Sequence, residues 1–319
     1  MHPIFTTGAE PAVPILFVTT ATFDQVIANV DDRERTFVHA AGFEPKPGRF
    51  LFVPAADGKL AGVLFGLENA DAPGTDLFRP GQLVSLLPPG TYRFANTPHD
   101  ARLAALAIAL GDYQFTRYRK TQPRNLKLVV PDGVDGDDLT RIIEGVTLAR
   151  DLINTPANDM GPVELEQAAR TLAKRFGANV EVTTGEPLAR HFPLVAAVGA
   201  GSARAPRLID ITWGNEAHPK ITLVGKGVCF DTGGLDIKND AGMLNMKKDM
   251  AGGATALGLA HMIMARKLKV RLRVIIPAVE NSISGTSFRP RDIFRSRKGI
   301  TVEIGNTDAE GRLILADAL

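Results

Sequence analysis

Short apolar runs bounded by glycine, proline or aspartate alternate along this chain with stretches of helical periodicity. This alternation constrains the fold more than any other feature, because such runs predict strands. In the first part of the chain the predicted strands are Ile15–Val18, Phe50–Val53, Gly62–Leu67 and Leu126–Val130. In the second part they are Val180–Thr183, Arg207–Trp213, Ile221–Val224, Leu272–Pro277 and Thr301–Ile304. Strands that alternate with helices predict an α/β layer architecture.

The helical stretches suggest where one domain gives way to the next. Helices are predicted over Asp100–Leu110, over Asp137–Ile153 and near Ala254–Ala265. The helix over Asp137–Ile153 begins with acidic residues and ends before a proline, and a Gly-Pro pair at Gly161 opens a further helix. We therefore predict an N-terminal α/β domain over residues 1–135, a linker helix and loop over 136–159, and a second domain over 160–319.

The composition indicates an ordinary globular protein. Of the 319 residues, 45% are hydrophobic and 23% are charged. The best apolar run near the N-terminus, Ala12–Val18, is short and contains Pro14, which argues against a secretory signal and a membrane span. One cysteine, Cys229, excludes an intramolecular disulfide and fits a reducing compartment. We expect a cytoplasmic protein with no membrane partner.

The charge distribution gives little reason to expect a nucleic-acid partner. The formal net charge is only +2. The one local exception is a basic stretch that contains Arg289, Arg291, Arg295, Arg297 and Lys298. A solvated turn is the favoured interpretation of this stretch, and an anion-binding patch is the alternative.

Acidic residues and lysines cluster in glycine-rich segments of the second domain. The segments are Val224–Lys238, Met246–Met250 and Asn306–Arg312. Several of these residues follow predicted strands, where α/β proteins place their sites. Asp308 and Glu310 are two positions apart, so an extended segment would direct both carboxylates to one side. Carboxylate-rich clusters of this kind suit Mg²⁺, Mn²⁺ or Zn²⁺.

Each of these short motifs is weak when it stands alone. Glycine-flanked charges are usually turns, and a surface lysine at a strand end is the default interpretation of Lys226. A phosphate-binding loop is not indicated, because the P-loop spacing is absent and neither serine nor threonine follows Lys226. Only the combination of segments points to a functional site.

That combination resembles the leucyl aminopeptidase (cytosol aminopeptidase) family. The stretch Asn306–Leu313 is similar to the family signature, and Lys226, Asp231, Lys238 and Asp249 occur in the family's order and spacing. Further similar stretches are Asn154–Asn158 and Ala205–Leu208. The resemblance covers the chain from about Asp151 to its last residue. It implies a small N-terminal α/β domain followed by a larger catalytic domain with a central mixed sheet.

The resemblance also implies a dinuclear metal site for Zn²⁺ or Mn²⁺. By analogy, Lys226, Asp231, Asp249 and Glu310 hold one ion, while Asp231, Asp308 and Glu310 hold the other. Lys226 would have to be neutral to act as a ligand, which a nearby cation can bring about.

The implied activity is removal of N-terminal residues from peptides that have a free N-terminus. In the family two metals activate a water molecule. Lys238 would donate to the substrate carbonyl as negative charge develops there. Arg312 would hold a bicarbonate ion as general base, and Met246 would line the pocket for the N-terminal side chain. The complete protein is expected to form a homohexamer.

Three departures from the family pattern stand out. Asn239 follows Lys238 where relatives commonly have proline, and Ala251 stands where they commonly have glycine. A positive φ at Ala251 would be strained. The stretch Leu313–Leu319 has the pattern of a helix without a stop signal, so we expect the chain to stop inside the catalytic domain. The alternative functions are a non-catalytic DNA-binding accessory protein and a structural subunit.

Overall fold

The computed structural model describes residues 1–8 and 11–319. The described chain divides into two compact units, residues 1–143 and residues 144–319. The division falls inside the helix Gly136–Asn154, within the segment that the sequence predicts to be a linker. Both units are α/β structures with mixed sheets, which confirms the predicted fold class. None of the described helices is long and apolar enough to cross a bilayer.

The first unit is built on a six-stranded sheet. Its strands are β1 (Phe5–Thr6), β2 (Val13–Val18), β3 (Phe50–Pro54), β4 (Leu60–Gly66), β5 (Gly90–Phe94) and β6 (Leu126–Val129). Its helices are α1 (Phe23–Ile27), α2 (Asp32–Ala40), α3 (Leu83–Leu86) and α4 (Ala101–Gly111), and α5 (Gly136–Asn154) begins here. The strand order is β1-β6-β5-β2-β4-β3. Every pairing is parallel except that of β3 with β4.

Side chains that alternate along β2 belong to two different cores. Ile15 and Phe17 lie in the core that contains α4, whereas Val18 lies in the core that contains Ile27 of α1 and Val38 of α2. Strand β2 is therefore covered on both faces, which explains its nearly continuous apolar sequence.

The second unit surrounds a five-stranded sheet. Its main strands are β7 (Asn179–Thr184), β8 (Arg207–Trp213), β9 (Lys220–Val224), β10 (Gly227–Asp231) and β11 (Arg271–Asn281). Strand β11 pairs in parallel with both β9 and β10 on one side and antiparallel with β8 on the other. A separate hairpin joins β12 (Ile293–Arg295) to β13 (Thr301–Glu303).

Six α-helices begin in the described part of the second unit, and all except the short α9 pack on the two faces of this sheet. They are α6 (Pro162–Phe176), α7 (Gly185–His191), α8 (Pro193–Gly199), α9 (Asp240–Met243), α10 (Ala251–Ala265) and α11 (Glu310–Ala318). Helices α6 and α10 share one core with Val274 and Ile276 of β11. Helices α7, α8 and α11 share the other core with Ile275 and Val279. The alternation along β11 therefore fixes which helices lie on which face.

Candidate metal centre

Two adjacent parallel strands provide the floor of the candidate site. Strand β10 ends at Asp231, which pairs with Asn281 at the end of β11. Lys226 lies in the break between β9 and β10, where Gly225 still donates to the carbonyl of Ile275. The carboxyl ends of these parallel strands meet at one edge of the sheet, which brings Asp231 and Asn281 together. Lys226 precedes β10 and reaches the site through its long side chain.

Two short 3₁₀ turns and one helix bring the remaining acidic residues to this edge. Asp249 lies in the turn Met246–Met250, and Asp308 lies in the turn Thr307–Ala309. Glu310 is the first residue of α11. The expectation of an extended segment at Asp308 and Glu310 is therefore wrong, because the chain there is already turning into a helix.

The carboxylates nevertheless come together as a possible ligand set. One ligand atom from each of Asp231, Asp308 and Glu310 lies within 4.8 Å of the others. Asp231 and Glu310 are buried, with 2% and 1% of their surface exposed, whereas Asp308 is exposed. The cluster therefore has an inner part closed to solvent and an outer part open to a substrate.

The two lysines form ion pairs with separate pairs of carboxylates. Nζ of Lys226 lies 2.8 Å from Oδ2 of Asp249 and 2.7 Å from Oε1 of Glu310. Nζ of Lys238 lies 3.1 Å from Oδ2 of Asp231 and contacts Oδ1 of Asp308. All six residues that the sequence singled out around the metals are thus brought to one place.

The ionisation of these groups reflects their close packing. Burial alone lowers the pKa of Lys226, but hydrogen bonds and charge from Asp249 and Glu310 outweigh it and the net shift is upward. The pKa of Lys238 is likewise raised, because Asp308 and Asp231 outweigh the effect of burial. The net pKa shift of Glu310 is upward. Burial is the main cause, and repulsion from Asp231 and Asp249 adds to the rise, whereas the hydrogen bond from Lys226 lowers the pKa.

A buried amide holds the inner edge of the site, and sequence reasoning missed it. Asn281 has no exposed surface, and its Nδ2 donates to Oδ1 of Asp231 at 2.8 Å and to the carbonyl of Thr307 at 3.1 Å. A neutral residue at the end of a long apolar strand carries no sequence signal of this role. The strand register alone shows that it faces Asp231.

Thr307 and Asp236 fasten together the two loops that carry the acidic residues. The backbone N–H of Thr307 donates to Oδ2 of Asp236 at 2.7 Å, and the N–H of Asp236 donates to Oγ1 of Thr307 at 2.8 Å. The hydroxyl of Thr307 donates to the carbonyl of Gly233 at 2.6 Å. We name this group of hydrogen bonds the loop clasp.

The two substitutions relative to the family pattern fit the local structure. Asn239 is the N-cap of α9, and its side chain accepts a hydrogen bond from the N–H of Gly242 at 2.8 Å. Ala251 has a φ of −60°, an ordinary helical value, so it carries no backbone strain. Neither residue disturbs the acidic cluster.

Two further candidate residues lie at the periphery. Arg312 is exposed in the first turn of α11, and its guanidinium makes no hydrogen bond or ion pair with any described residue. Met246 is half-buried at the start of the turn that carries Asp249. Arg312 is therefore available to an anion, and Met246 shares its turn with Asp249.

The donor set fits a divalent cation. Oε2 of Glu310 is buried and has no hydrogen-bond partner among the described residues. A buried carboxylate oxygen without a donor is costly, and a bound cation would satisfy it. When every group is ionised, the four carboxylates outnumber the two ammonium groups by two charges. Oxygen donors of this kind suit Mg²⁺, Mn²⁺ or Zn²⁺.

The fold and this site together define a two-unit α/β protein with a carboxylate-rich candidate metal centre. A model of the cytosol aminopeptidase family, catalytic domain, matches residues 147–319. A model of the M17 aminopeptidase N-terminal domain matches residues 13–131. The chain belongs to the cytosol aminopeptidase (M17) family.

Individual relatives agree with this family. The chain is 35% identical over 325 residues to a probable cytosol aminopeptidase of Afipia carboxidovorans, covering 92% of this chain and 64% of the relative. It is 42% identical over 233 residues to one of Rhizobium rhizogenes, covering 67% of this chain and 47% of the relative. The chain thus spans about half to two-thirds of the length of these relatives.

Two enzymes are among the solved structures with the same fold. The cytosol aminopeptidase of Coxiella burnetii superposes with a TM-score of 0.93 at 44% identity, covering 99% of this chain and 69% of that one. The bottromycin maturation enzyme BotP, solved in complex with Mn, superposes with a TM-score of 0.80 at 30% identity, covering 96% of this chain and 67% of that one.

Proposed function

We propose that this chain belongs to a metal-dependent aminopeptidase that removes N-terminal residues from peptides. The observation that carries the proposal is the convergence of four carboxylates and two lysines at the carboxyl ends of β10 and β11. Membership of the cytosol aminopeptidase family supports it. We further propose a cytoplasmic location, a homohexamer for the complete protein, and a catalytic domain over residues 160–319 that follows the linker segment 136–159.

The proposed metal ligands divide into two overlapping sets. Lys226, Asp231, Asp249 and Glu310 would hold one ion, and Asp231, Asp308 and Glu310 would hold the other, with Zn²⁺ or Mn²⁺ as the candidates. Bound divalent ions supply an activated water and polarise the scissile carbonyl. The buried position of Asp231 and Glu310 suits the two residues assigned to both sets, because their carboxylates are held rigidly.

Lys238 is the proposed hydrogen-bond donor to the substrate carbonyl. Its pKa is raised by Asp308 and Asp231 in spite of burial, so it is protonated at neutral pH and can only donate. A donor placed where negative charge develops lowers the barrier, because the interaction is stronger in the transition state than in the ground state. The ion pairs described above keep this ammonium at the centre.

The two peripheral residues have supporting roles in the proposal. Arg312, which has no partner among the described residues, would hold the bicarbonate that serves as general base. Met246, the first residue of the turn that carries Asp249, would contact the N-terminal side chain of the peptide. The free α-amine of the peptide, in its neutral form, would be held by the bound divalent ions, which fits the removal of N-terminal residues.

The proposal is tested by hydrolysis of leucine p-nitroanilide after dialysis against a chelator. Activity should disappear on dialysis and return with Mn²⁺ or Zn²⁺. Lys238→Ala should lower turnover by about two to three orders of magnitude while metal content stays near that of the unsubstituted protein. Asp249→Ala should lose metal. Full activity in metal-free protein, or loss of a metal equivalent in Lys238→Ala, would contradict the assignment.

The described contacts give no support to a DNA-binding function. In the basic stretch, Arg289 pairs with Asp292, and Arg291 pairs with Glu303. Arg297 stacks over the ring of Phe192 at 4.5 Å. Much of the local charge is thus neutralised or committed to packing, and the stretch forms the β12–β13 hairpin rather than a simple turn.

A further inference from the structure

The first unit contains a crevice to which the proposed peptidase activity gives no role. The crevice has a volume of about 700 Å³ and lies beyond the carboxyl ends of β2, β4 and β5. Its volume lies in the range of about 300–1,000 Å³ that is typical of small-molecule sites. We refer to it as the switch-point crevice.

The topology of the sheet explains why an opening exists at this place. From β2 the chain passes through α1 and α2 and returns at β3 and β4, on one side of β2. It then crosses to β5 on the other side of β2, and α4 follows. Helices α1 and α4 contribute to opposite cores of the sheet. The connections therefore diverge between β2 and β5, and ligands of open α/β sheets bind at such points.

Side-chain hydrogen bonds fix the walls of the switch-point crevice. Nδ2 of Asn96 donates to the carbonyl of Phe17 at 2.8 Å, and Oδ1 of Asn96 accepts from the N–H of Phe17 at 2.8 Å. The amide thereby replaces strand pairing just beyond the end of β5. Oδ1 of Asn69 accepts from the hydroxyl of Thr20 at 3.0 Å and from the N–H of Ala21 at 3.3 Å. The loops after β2, β4 and β5 are thus held in place without a ligand.

Several polar groups that line the crevice remain free for a ligand. Among the described residues, no hydrogen-bond partner exists for the side-chain amide of Gln25, Nδ2 of Asn69, the carboxylate of Asp71 or the hydroxyl of Thr97. The apolar lining comes from Phe17, Val26, Leu67 and Pro98. Amide, hydroxyl and carboxylate groups beside an apolar wall suit a ring compound that carries hydroxyl groups.

The charge of the lining narrows the class of ligand. Lysine and arginine are absent from the residues that line the described crevice, and Asp71 is acidic. His99 also lines the crevice, but its Nε2 lies 2.7 Å from the carbonyl oxygen of Glu68. A phosphate group would therefore find no lysine or arginine and would be repelled by Asp71. We propose that the switch-point crevice binds an uncharged, hydroxylated ring compound, the chemistry shared by a nucleoside and a sugar.

The test is saturation-transfer NMR on the full chain with adenosine, glucose and AMP as probes. Adenosine or glucose should bind saturably, and which of them binds identifies the source of the ring. AMP should bind at least about tenfold more weakly than adenosine. No saturable binding of adenosine or glucose at millimolar concentration would overturn the proposal. AMP that binds as tightly as adenosine would also overturn it.

Variants locate the binding within the crevice. Asp71→Ala removes the acidic acceptor, and Thr97→Phe fills the crevice with a larger side chain. Each substitution should lower the affinity for the probe about tenfold or more. Asp57→Ala is the matched control. Asp57 is exposed in the same unit, lies outside the crevice and, among the described residues, pairs only with Lys59. Equal weakening by Asp57→Ala, or no weakening by Asp71→Ala and Thr97→Phe, would contradict the location.

Discussion

Asn281 joins Asp231 to Thr307 through one buried amide, and both bonds start from the same nitrogen. A carboxylate that must point toward a metal is oriented by such a donor, since the donor fixes one of its oxygens. The residue therefore contributes both to stability and to the orientation of the acidic cluster.

Replacing Asn281 by alanine should lower the free energy of unfolding by about 1–3 kcal/mol, because Asp231 loses a buried donor. Urea denaturation followed by circular dichroism measures this change. Asn179→Ala is the control, because the Asn179 side chain is exposed and makes no side-chain hydrogen bond with a described residue. The control should change stability by less than about 0.5 kcal/mol. If both substitutions lower the free energy of unfolding equally, the buried hydrogen bonds of Asn281 do not contribute specifically to stability.

The thiol of Cys229 should not react with alkylating agents in the folded protein. Cys229 has no exposed surface, and burial raises its pKa, so the thiolate that reacts with alkylating agents is scarce. Iodoacetamide at pH 8 should leave native protein unmodified and should label the thiol in urea. Mass spectrometry distinguishes the two states. Rapid stoichiometric labelling of native protein would show that the thiol is accessible.

At the scale of single elements, Gly311 in the first turn of α11 leaves space for the side chain of Lys226. A β-carbon at Gly311 would lie 2.6 Å from Cε and 2.8 Å from Nζ of Lys226. Glycine therefore lets the lysine side chain cross the helix and reach Glu310 and Asp249.

Gly311→Ala should displace the Lys226 side chain and disturb the centre without removing any proposed ligand. Because the atoms met are the far end of a flexible side chain, the loss of stability should be at the low end of the about 1–3 kcal/mol that overpacking costs. The measurement is again urea denaturation, together with Mn²⁺ affinity by calorimetry, which should fall. Gly305→Ala is the matched control, because its β-carbon would meet nothing within 4 Å. If both variants keep full Mn²⁺ affinity, the close approach at Gly311 is not required.

Helix α6 and strand β8 are joined by a carboxylate between two arginines. Glu166 accepts from Arg170 and Arg207. Burial alone raises its pKa, but the two arginines outweigh burial and the net shift is downward from 4.5. The pKa of Glu166 is thus lower in the folded state than in the unfolded state. The interactions of Glu166 with the two arginines therefore stabilise the fold above about pH 4.5, and this stabilisation is lost as the pH falls further.

The corresponding experiment compares the unsubstituted protein with Glu166→Gln over a pH series. The unsubstituted protein should be more stable at pH 7, by about 1–3 kcal/mol, because charged hydrogen bonds are replaced by neutral ones. The difference should shrink as the pH falls from 5 toward 3. A difference that stays constant through this range would contradict the role of the carboxylate charge.

For the whole molecule, metal binding should appear as increased thermal stability. A ligand that binds only the folded state stabilises it by about 2.7 kcal/mol at one hundred times its dissociation constant. Mn²⁺ should therefore raise the melting temperature of the chelator-treated protein. Asp308→Asn should reduce this increase, whereas Asp57→Asn, at an exposed position of the first unit, should not. An equal increase in all three proteins would place the bound metal elsewhere.

The regular elements could largely be predicted from sequence, because their apolar periodicity reflects the faces they bury. Strand β8 has the predicted bounds, α4 and α5 differ from prediction by one residue at each end, and β9 begins one residue earlier than predicted. Strand β11 extends well past the predicted Pro277, because its neighbour β10, which was not predicted separately, supplies further pairing.

The unpredicted elements lack such signals. Helices α1, α3, α7 and α9 have between four and seven residues, too few for two full turns of periodicity. Strand β5 begins at Gly90 directly after two prolines, a composition typical of a turn. The acidic residues of the site could be named from their motifs, but Asn281 and the loop clasp depend on long-range pairing that no local pattern encodes.

The loop clasp also has a consequence for the order in which the chain folds. Its partners are 71 residues apart, and Asn281 is 50 residues from Asp231. Contacts of such separation pay a large entropy of loop closure and form after local helices and hairpins. On the ribosome, Lys226 and Asp231 emerge long before Glu310 is synthesised. The acidic cluster is therefore completed late, and nascent chains carry Lys226 and Lys238 before Glu310 and Asp308 are available to pair with them.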